Sequence, residues 1–187
     1  MSATAASSLA ISADTPTSAG RGYAWPSSSI STRMRPASAA LRKWMNEQGI
    51  PAGGDLGPQD LKRAIEFREA MRLLLLSNNG VELEASALRG LRAAADAGLI
   101  RVEIEKDGQA FARPAEEGVS ALFARLLAAV ADIQCAGTWE RLKACAAEDC
   151  QWAFYDTSRN RSRTWCSMEV CGNRAKTRAY RARLTDG

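Results

Sequence analysis

Four of the five cysteines in this 187-residue chain fall within one short stretch: Cys145, Cys150, Cys166 and Cys171, two C-x4-C pairs separated by fifteen residues. Each pair closes a short knuckle, and the intervening loop is long enough to bring both knuckles to one centre. Four thiolates about 2.3 Å from Zn2+ complete a tetrahedral shell with no position left for water or substrate, so such a site builds structure and catalyses nothing. The spacing points to a zinc ribbon or a treble-clef-like finger. An iron–sulfur cluster uses the same ligand type, and buried free thiols are the remaining alternative. The fifth, Cys135, ends an apolar helical stretch and is expected as a core thiol.

The chain contains no histidine. That removes imidazole general-base work, Ser/His and Cys/His nucleophile pairs and any His-ligated metal. Neither a paired-carboxylate constellation nor an open metal site is visible, so an enzyme is not expected. The net charge of +4 hides an asymmetry, because residues 141–187 hold ten basic and five acidic groups while residues 41–140 hold twelve and fifteen. A zinc shell would add −2 relative to neutral cysteines.

The basic residues sit in two clusters around the knuckles. Arg159, Arg161 and Arg163 lie in the loop between the cysteine pairs. Arg174, Lys176, Arg178 and Arg181 follow Cys171, in or beside a helix expected from Ala175 to Leu184 that carries no acidic residue. At about 100° per residue, Arg174, Arg178 and Arg181 share one side, with Ala175, Ala179 and Ala182 next to it. Phosphate contacts from two elements would orient a nucleic acid, and an arginine at a groove floor reads guanine. A solvated basic surface is the plainer alternative. Trp152, Phe154 and Trp165 are expected to form the finger's small apolar core, with metal binding supplying much of its folding energy.

The elements that must position this centre read as mainly α with one small β-hairpin. Residues 1–37 are rich in Ser and Ala, too poor in large side chains to offset ordering entropy, and are expected to be mostly disordered, with Trp25-Pro26 docking locally. Residues 38–137 read as a helical domain. Ser38 is a plausible N-cap for a helix ended by Gly49-Ile50-Pro51, and a second helix runs from Gln59 to about Leu76. A third spans Glu84–Ala97 before Gly98, Leu99–Ile104 and Gln109–Arg113 flank an Asp107-Gly108 turn, and a further helix runs from Ala115 to Cys135. Residues 138–187 form the finger and its basic C-terminal helix.

Arg68 stands on the apolar stripe of the second helix between Ile65 and Met71. A charge there must be paired or snorkel, so a buried ion pair or a guanidinium lining an anionic ligand's pocket is expected.

The residues from Cys145 through Cys150, then Phe154-Tyr155-Asp156-Thr157-Ser158, Arg163-Thr164-Trp165-Cys166-Ser167-Met168 and Cys171-Gly172-Asn173-Arg174-Ala175-Lys176, resemble the CGNR zinc finger over about the last 45 residues. Leu41–Trp44 and Asp60–Leu74, with Phe67-Arg68-Glu69-Ala70-Met71-Arg72 at its centre, are similar to the ABATE domain of bacterial stress-induced transcription regulators. The apolar strand and Asn-Thr segment that usually open that domain are not evident here. The resemblance implies a cytoplasmic, zinc-dependent DNA-binding regulator of bacterial type, associated with the nucleoid when bound to DNA. Cys145, Cys150, Cys166 and Cys171 would be its ligands, and Arg174 and Lys176 its candidate DNA contacts. A small-molecule effector on the helical domain and a homodimer on a two-fold operator fit the same reading. The competing function is a protein-interaction adaptor whose finger is a rigid docking knob. RNA is a further partner to distinguish from DNA. No uninterrupted apolar run reaches membrane-spanning length.

Overall fold

Helix-forming sequence recurs between Gly- and Pro-marked breaks, and the computed structural model, which describes residues 34–185, places its elements accordingly. In order they are α1 (Met34–Glu47), α2 (Pro58–Ser77), α3 (Ala85–Ala97), β1 (Ile100–Ile104), β2 (Ala110–Pro114), α4 (Gly118–Cys135), a short 3-10 turn (Trp139–Arg141), β3 (Leu142–Ala144), β4 (Ala153–Tyr155), a wide helical turn (Met168–Gly172) and α5 (Asn173–Thr185). The Ser/Ala-rich segment with Trp25-Pro26 lies outside the described residues. The fold is mainly helical with two small antiparallel hairpins, one more than the sequence pattern announces.

Ser38 does not cap α1. The helix begins at Met34, and Ser38 is buried in its interior, its hydroxyl donating to the Gly57 carbonyl 3.5 Å away. Pro58 starts α2 where its missing N–H is no loss, and Asp60 accepts from the Gly57 amide at 2.9 Å. Leu61, Ala64, Phe67 and Ala70 turn inward onto Leu41 and Met45 of α1, Leu91 and Ala94 of α3, and Val119, Leu122 and Phe123 of α4. Phe67 and Phe123 meet at 4.6 Å between ring centres. Gly98 ends α3 because nothing larger fits: a Cβ there would stand 2.7 Å from the Ala124 amide nitrogen, so α3 and α4 close on each other at this point.

The first hairpin pairs Ile100 with Pro114 and Ile104 with Ala110, its turn held by Asp107 accepting from the Gln109 amide. Val102 and Ile104 stay largely exposed on its outer side. Helix α4 is long and apolar enough by composition to cross a membrane, and its first turns, Val119 and Ala121–Ala124, are buried in the core.

The helical part and the finger belong to one compact unit. The end of α2 makes the joint. Asn78 donates to the carbonyls of Trp139 and Leu142 at 2.9 and 2.8 Å, and Asn79 donates to that of Ala144 at 2.7 Å. Those carbonyls belong to the 3-10 turn and to β3, which runs directly into Cys145.

Candidate metal centre and basic helix

The first knuckle grows out of the second hairpin. Leu142 pairs with Tyr155 and Ala144 with Ala153, and the Cys145 amide donates to the Trp152 carbonyl at 2.8 Å. The amides of Cys150 and Gln151 both turn back to the Ala147 carbonyl, with Gln151 in the left-handed region at φ 53°. The second knuckle is the N-terminus of a helix. Ser167 caps it by accepting from the Val170 amide, the wide turn carries Cys171, and α5 continues from Asn173. Gly172 is buried, and a side chain there would run into Met168.

Four sulfur atoms converge. The Sγ atoms of Cys145, Cys150, Cys166 and Cys171 all lie within 4.8 Å of one another, with Cys150 to Cys166 at 3.6 Å and Cys166 to Cys171 at 3.7 Å. A tetrahedral ZnS4 group has sulfur–sulfur edges of about 3.8 Å, close to the two shortest separations here, so the four thiols could hold Zn2+. Cys145 and Cys171 are buried, Cys150 and Cys166 half-buried, and Phe154 and Trp165 pack against them. Burial, reinforced by the neighbouring thiols, pushes the Cys166 thiol well above its ordinary value. At Cys171 burial also pushes upward, but the Arg174 guanidinium and the facing thiols more than offset it and hold the group below an ordinary thiol. A divalent cation held by these cysteines would take the place of their protons.

A buried ion pair braces the loop between the knuckles. Lys143 and Asp156 are 4% and 0% exposed at their side chains and meet at 3.1 Å. Lys143 also donates to the carbonyls of Arg161 and Arg163, and Asp156 accepts from the amides of Ser158 and Arg163. Burial alone would raise the Asp156 carboxyl, but Ser158, Lys143 and Arg163 hold it far below the usual carboxylate range. The sequence pattern flagged neither residue as a pair. The only cue was the alternation of Lys143 with Ala144 and Cys145 in a run short enough to be missed.

The seven basic residues singled out from sequence have different fates. Arg163 is half-buried, donates to the Cys166 carbonyl at 2.7 Å and lies over the Phe154 ring. Arg174 reaches Asp149 at 2.8 Å and the Cys171 sulfur at 3.4 Å. Arg161 pairs with Glu140 at the surface. Arg178 stands 4.0 Å from Asp149. Arg159, Lys176 and Arg181 are exposed and, among the described residues, have no acidic partner, and the same holds for Arg183, which sequence reasoning passed over. From Lys176 to Leu184 every residue of α5 is exposed.

Other expectations need correction. Trp152 is 61% exposed and outside the finger's core, because the four cysteines occupy that centre and the aromatics packed against them are Phe154 and Trp165. Cys135 is exposed at the last turn of α4, beyond the part of the helix that the core covers. Arg68 is not buried. Phe67, one residue earlier, occupies the stripe, and Arg68 sits at its margin, half-exposed and paired with Glu69 at 2.6 Å. On the same helix, Arg63 is stacked 5.4 Å from the Phe123 ring centre. Together with Gly53, Gly54, Asp60, Glu117 and Ser120 it lines an open polar cleft of about 240 Å3.

Against known proteins, residues 35–137 match the family model ABATE, described as "Putative stress-induced transcription regulator". Residues 141–184 match the CGNR zinc finger. A search of curated proteins finds no match.

Proposed function

Since this chain belongs to the ABATE family of transcription regulators, we propose that it is a cytoplasmic, zinc-dependent, DNA-binding regulator whose finger contacts DNA and whose helical part senses a ligand. One observation carries the DNA half: a helix exposed at every residue from Lys176 to Leu184, rich in arginine and rooted at a cysteine of the candidate metal centre. A helix with no face packed against the rest of the molecule gains little stability from its own protein. Phosphates would give its charges partners and fix its register on a duplex. Arg159, Arg161, Lys176, Arg178 and Arg181 are the proposed contacts, with Arg183 added. A finger this short reads only a few base pairs, so two copies on a two-fold site are part of the reading.

The ligand half rests on the cleft at Arg63. Its volume is below the usual range for drug-sized ligands, and its lining sets one guanidinium against the carboxylates of Asp55, Asp60 and Glu117, which suits a small polar molecule with a positive group.

The test is selection of bound duplexes from random DNA by metal-loaded protein, followed by titrations at several salt concentrations. Affinity should fall log-linearly with salt, and Lys176→Ala or Arg181→Ala should flatten that slope by about one unit each. Absence of enrichment, or binding indifferent to salt, would favour the adaptor reading. That second reading has its own support in the exposed Trp152, Val170 and Tyr180, apolar surface that a protein partner would cover. Enrichment of single-stranded RNA over duplex DNA would move the partner to RNA.

A further inference from the structure

Arg174 is three residues past Cys171 and opens the first turn of α5. Its two terminal nitrogens are engaged in different directions. One donates to Asp149, the residue before Cys150 in the first knuckle, at 2.8 Å, and the other points at the sulfur of Cys171 in the second knuckle, at 3.4 Å. A single planar group therefore bridges the two halves of the metal shell. The guanidinium fork permits this, whereas the point charge of a lysine would have to choose one partner or sit between them.

We propose that Arg174 is a positioning residue for the zinc centre and does not read bases. Its N–H group holds the Cys171 thiolate in the orientation a metal needs, and its hold on Asp149 fixes the direction in which α5 leaves the shell. Reading guanine would require both terminal nitrogens to face O6 and N7 of one base, and here both are committed inside the protein. A tetrathiolate zinc group carries a net −2, so a cation in contact with one sulfur stabilises the loaded state, as outer-shell partners of metal ligands generally do. With Arg174 and Arg178 on the side facing Asp149, the opposite side of α5 carries Lys176 and Arg183, half a turn away at about 100° per residue. Those two charges are clear of that anchor and join the phosphate contacts named above, a consequence that rests on the DNA reading.

The experiment uses the full zinc-loaded chain and two readouts that need no DNA. Zinc transfer to a chromogenic chelator should quicken about 10- to 100-fold in Arg174→Met, and in cobalt-substituted protein the sulfur-to-metal charge-transfer bands should shift as the N–H to sulfur contact is lost. Arg174→Lys should recover part of both effects, and Asp149→Asn should show a smaller change of the same sign. Lys176→Ala should leave zinc release and cobalt spectrum at parental values while lowering the salt slope of DNA binding by about one. Should Arg174→Met fail to fold, Arg174→Lys and Asp149→Asn carry the same measurements. Parental zinc release and cobalt bands in the Arg174 and Asp149 variants would overturn the proposal. If the parent binds no DNA, the regulator reading fails while the zinc and cobalt measurements still decide the role of Arg174.

Discussion

The two halves of this chain are held together by different physics. In the helical part the buried side chains are almost all apolar, from Leu41 and Met45 through Phe67 to Phe123, and its ion pairs lie at the surface, such as Lys43 with Glu47 at 3.9 Å and Lys62 with Glu66 at 3.8 Å. Exposed pairs of that kind contribute little. In the finger the most buried residues are Asp156, Ala144, Cys145, Cys171 and Lys143, two of them charged and two of them thiols. Hydrophobic burial is non-directional and spread over many contacts, so the helical part should tolerate loss of any one of them gradually. A four-cysteine cluster suited to a metal and a buried ion pair are specific and few, so the finger should fail at single points.

The largest expected effect follows directly. Removing zinc takes away binding free energy on the order of 10 kcal/mol in small zinc modules. Strong chelation should abolish amide protection across residues 141–184 while the amides of α2 to α4 stay protected, read by hydrogen exchange. Retained protection in the finger would mean that Phe154 and Trp165 suffice alone and would collapse the contrast. Purified protein containing iron with visible charge-transfer absorption would replace zinc with a cluster.

Next in size is the buried pair. Asp156→Asn leaves Lys143 charged and without its counter-ion, a loss of about 3–5 kcal/mol for a broken buried pair. Replacing both, as Lys143→Met with Asp156→Leu, should recover only part, because the amides of Ser158 and Arg163 then lose their acceptor. The pH dependence has a definite sign. The folded Asp156 carboxyl lies below its unfolded value of about 3.9, so its stabilisation is fully present above that value and is lost as pH falls towards the folded one. Urea melts of parent and Asp156→Asn should therefore converge on acidification below about pH 4. Zinc content must be followed in parallel, since protons also compete for the thiolates.

These two features differ in how far the sequence disclosed them. Cys145, Cys150, Cys166 and Cys171 were legible because thiol chemistry is rare and knuckle spacing is local. Lys143 and Asp156 were not, since two common charged residues thirteen apart carry no period, and three-residue strands such as β3 and β4 are too short for alternation to show. The long helices of the ABATE region followed from periodicity, but the side chains at their margins did not. A stripe drifts along a twenty-residue helix, so Arg68 and Phe67 exchange places with a small error in its axis. Cys135 misled for a related reason: α4 is apolar nearly all round, and composition cannot tell which end the core covers.

Smaller still is the joint between the halves. Asn79 donates to the Ala144 carbonyl, one residue before Cys145 of the sulfur cluster. Asn79→Ala leaves that half-buried carbonyl unpaired, a cost of about 1–3 kcal/mol, and should weaken the coupling between the end of α2 and the finger. In Asn79→Ala the helical part should keep its parental melting while protection in β3 declines. Equal losses in both regions would show that the two halves fold as one cooperative block despite their different cores.

The smallest effect is expected at Arg68. Its side chain is 47% exposed, and Glu69, which it meets at 2.6 Å, is also held by Arg72 at 2.9 Å. Burial raises the Glu69 carboxyl, but the two arginines outweigh it and keep the group below its ordinary value. Taking Arg68 away leaves the Arg72 contact in place, so Glu69 keeps a partner. Arg68→Ala should change stability by less than about 1 kcal/mol, measured by urea denaturation, and Arg68→Met should do no more. Arg63→Met gives the sharper contrast in the same domain, because it removes the cation over Phe123 and the only guanidinium among the residues lining the cleft. A large loss at Arg68 with none at Arg63 would return the charge to the core and reverse the reading of this helix; the opposite result leaves the helical part stabilised by its apolar side chains, with its polar chemistry concentrated at the cleft.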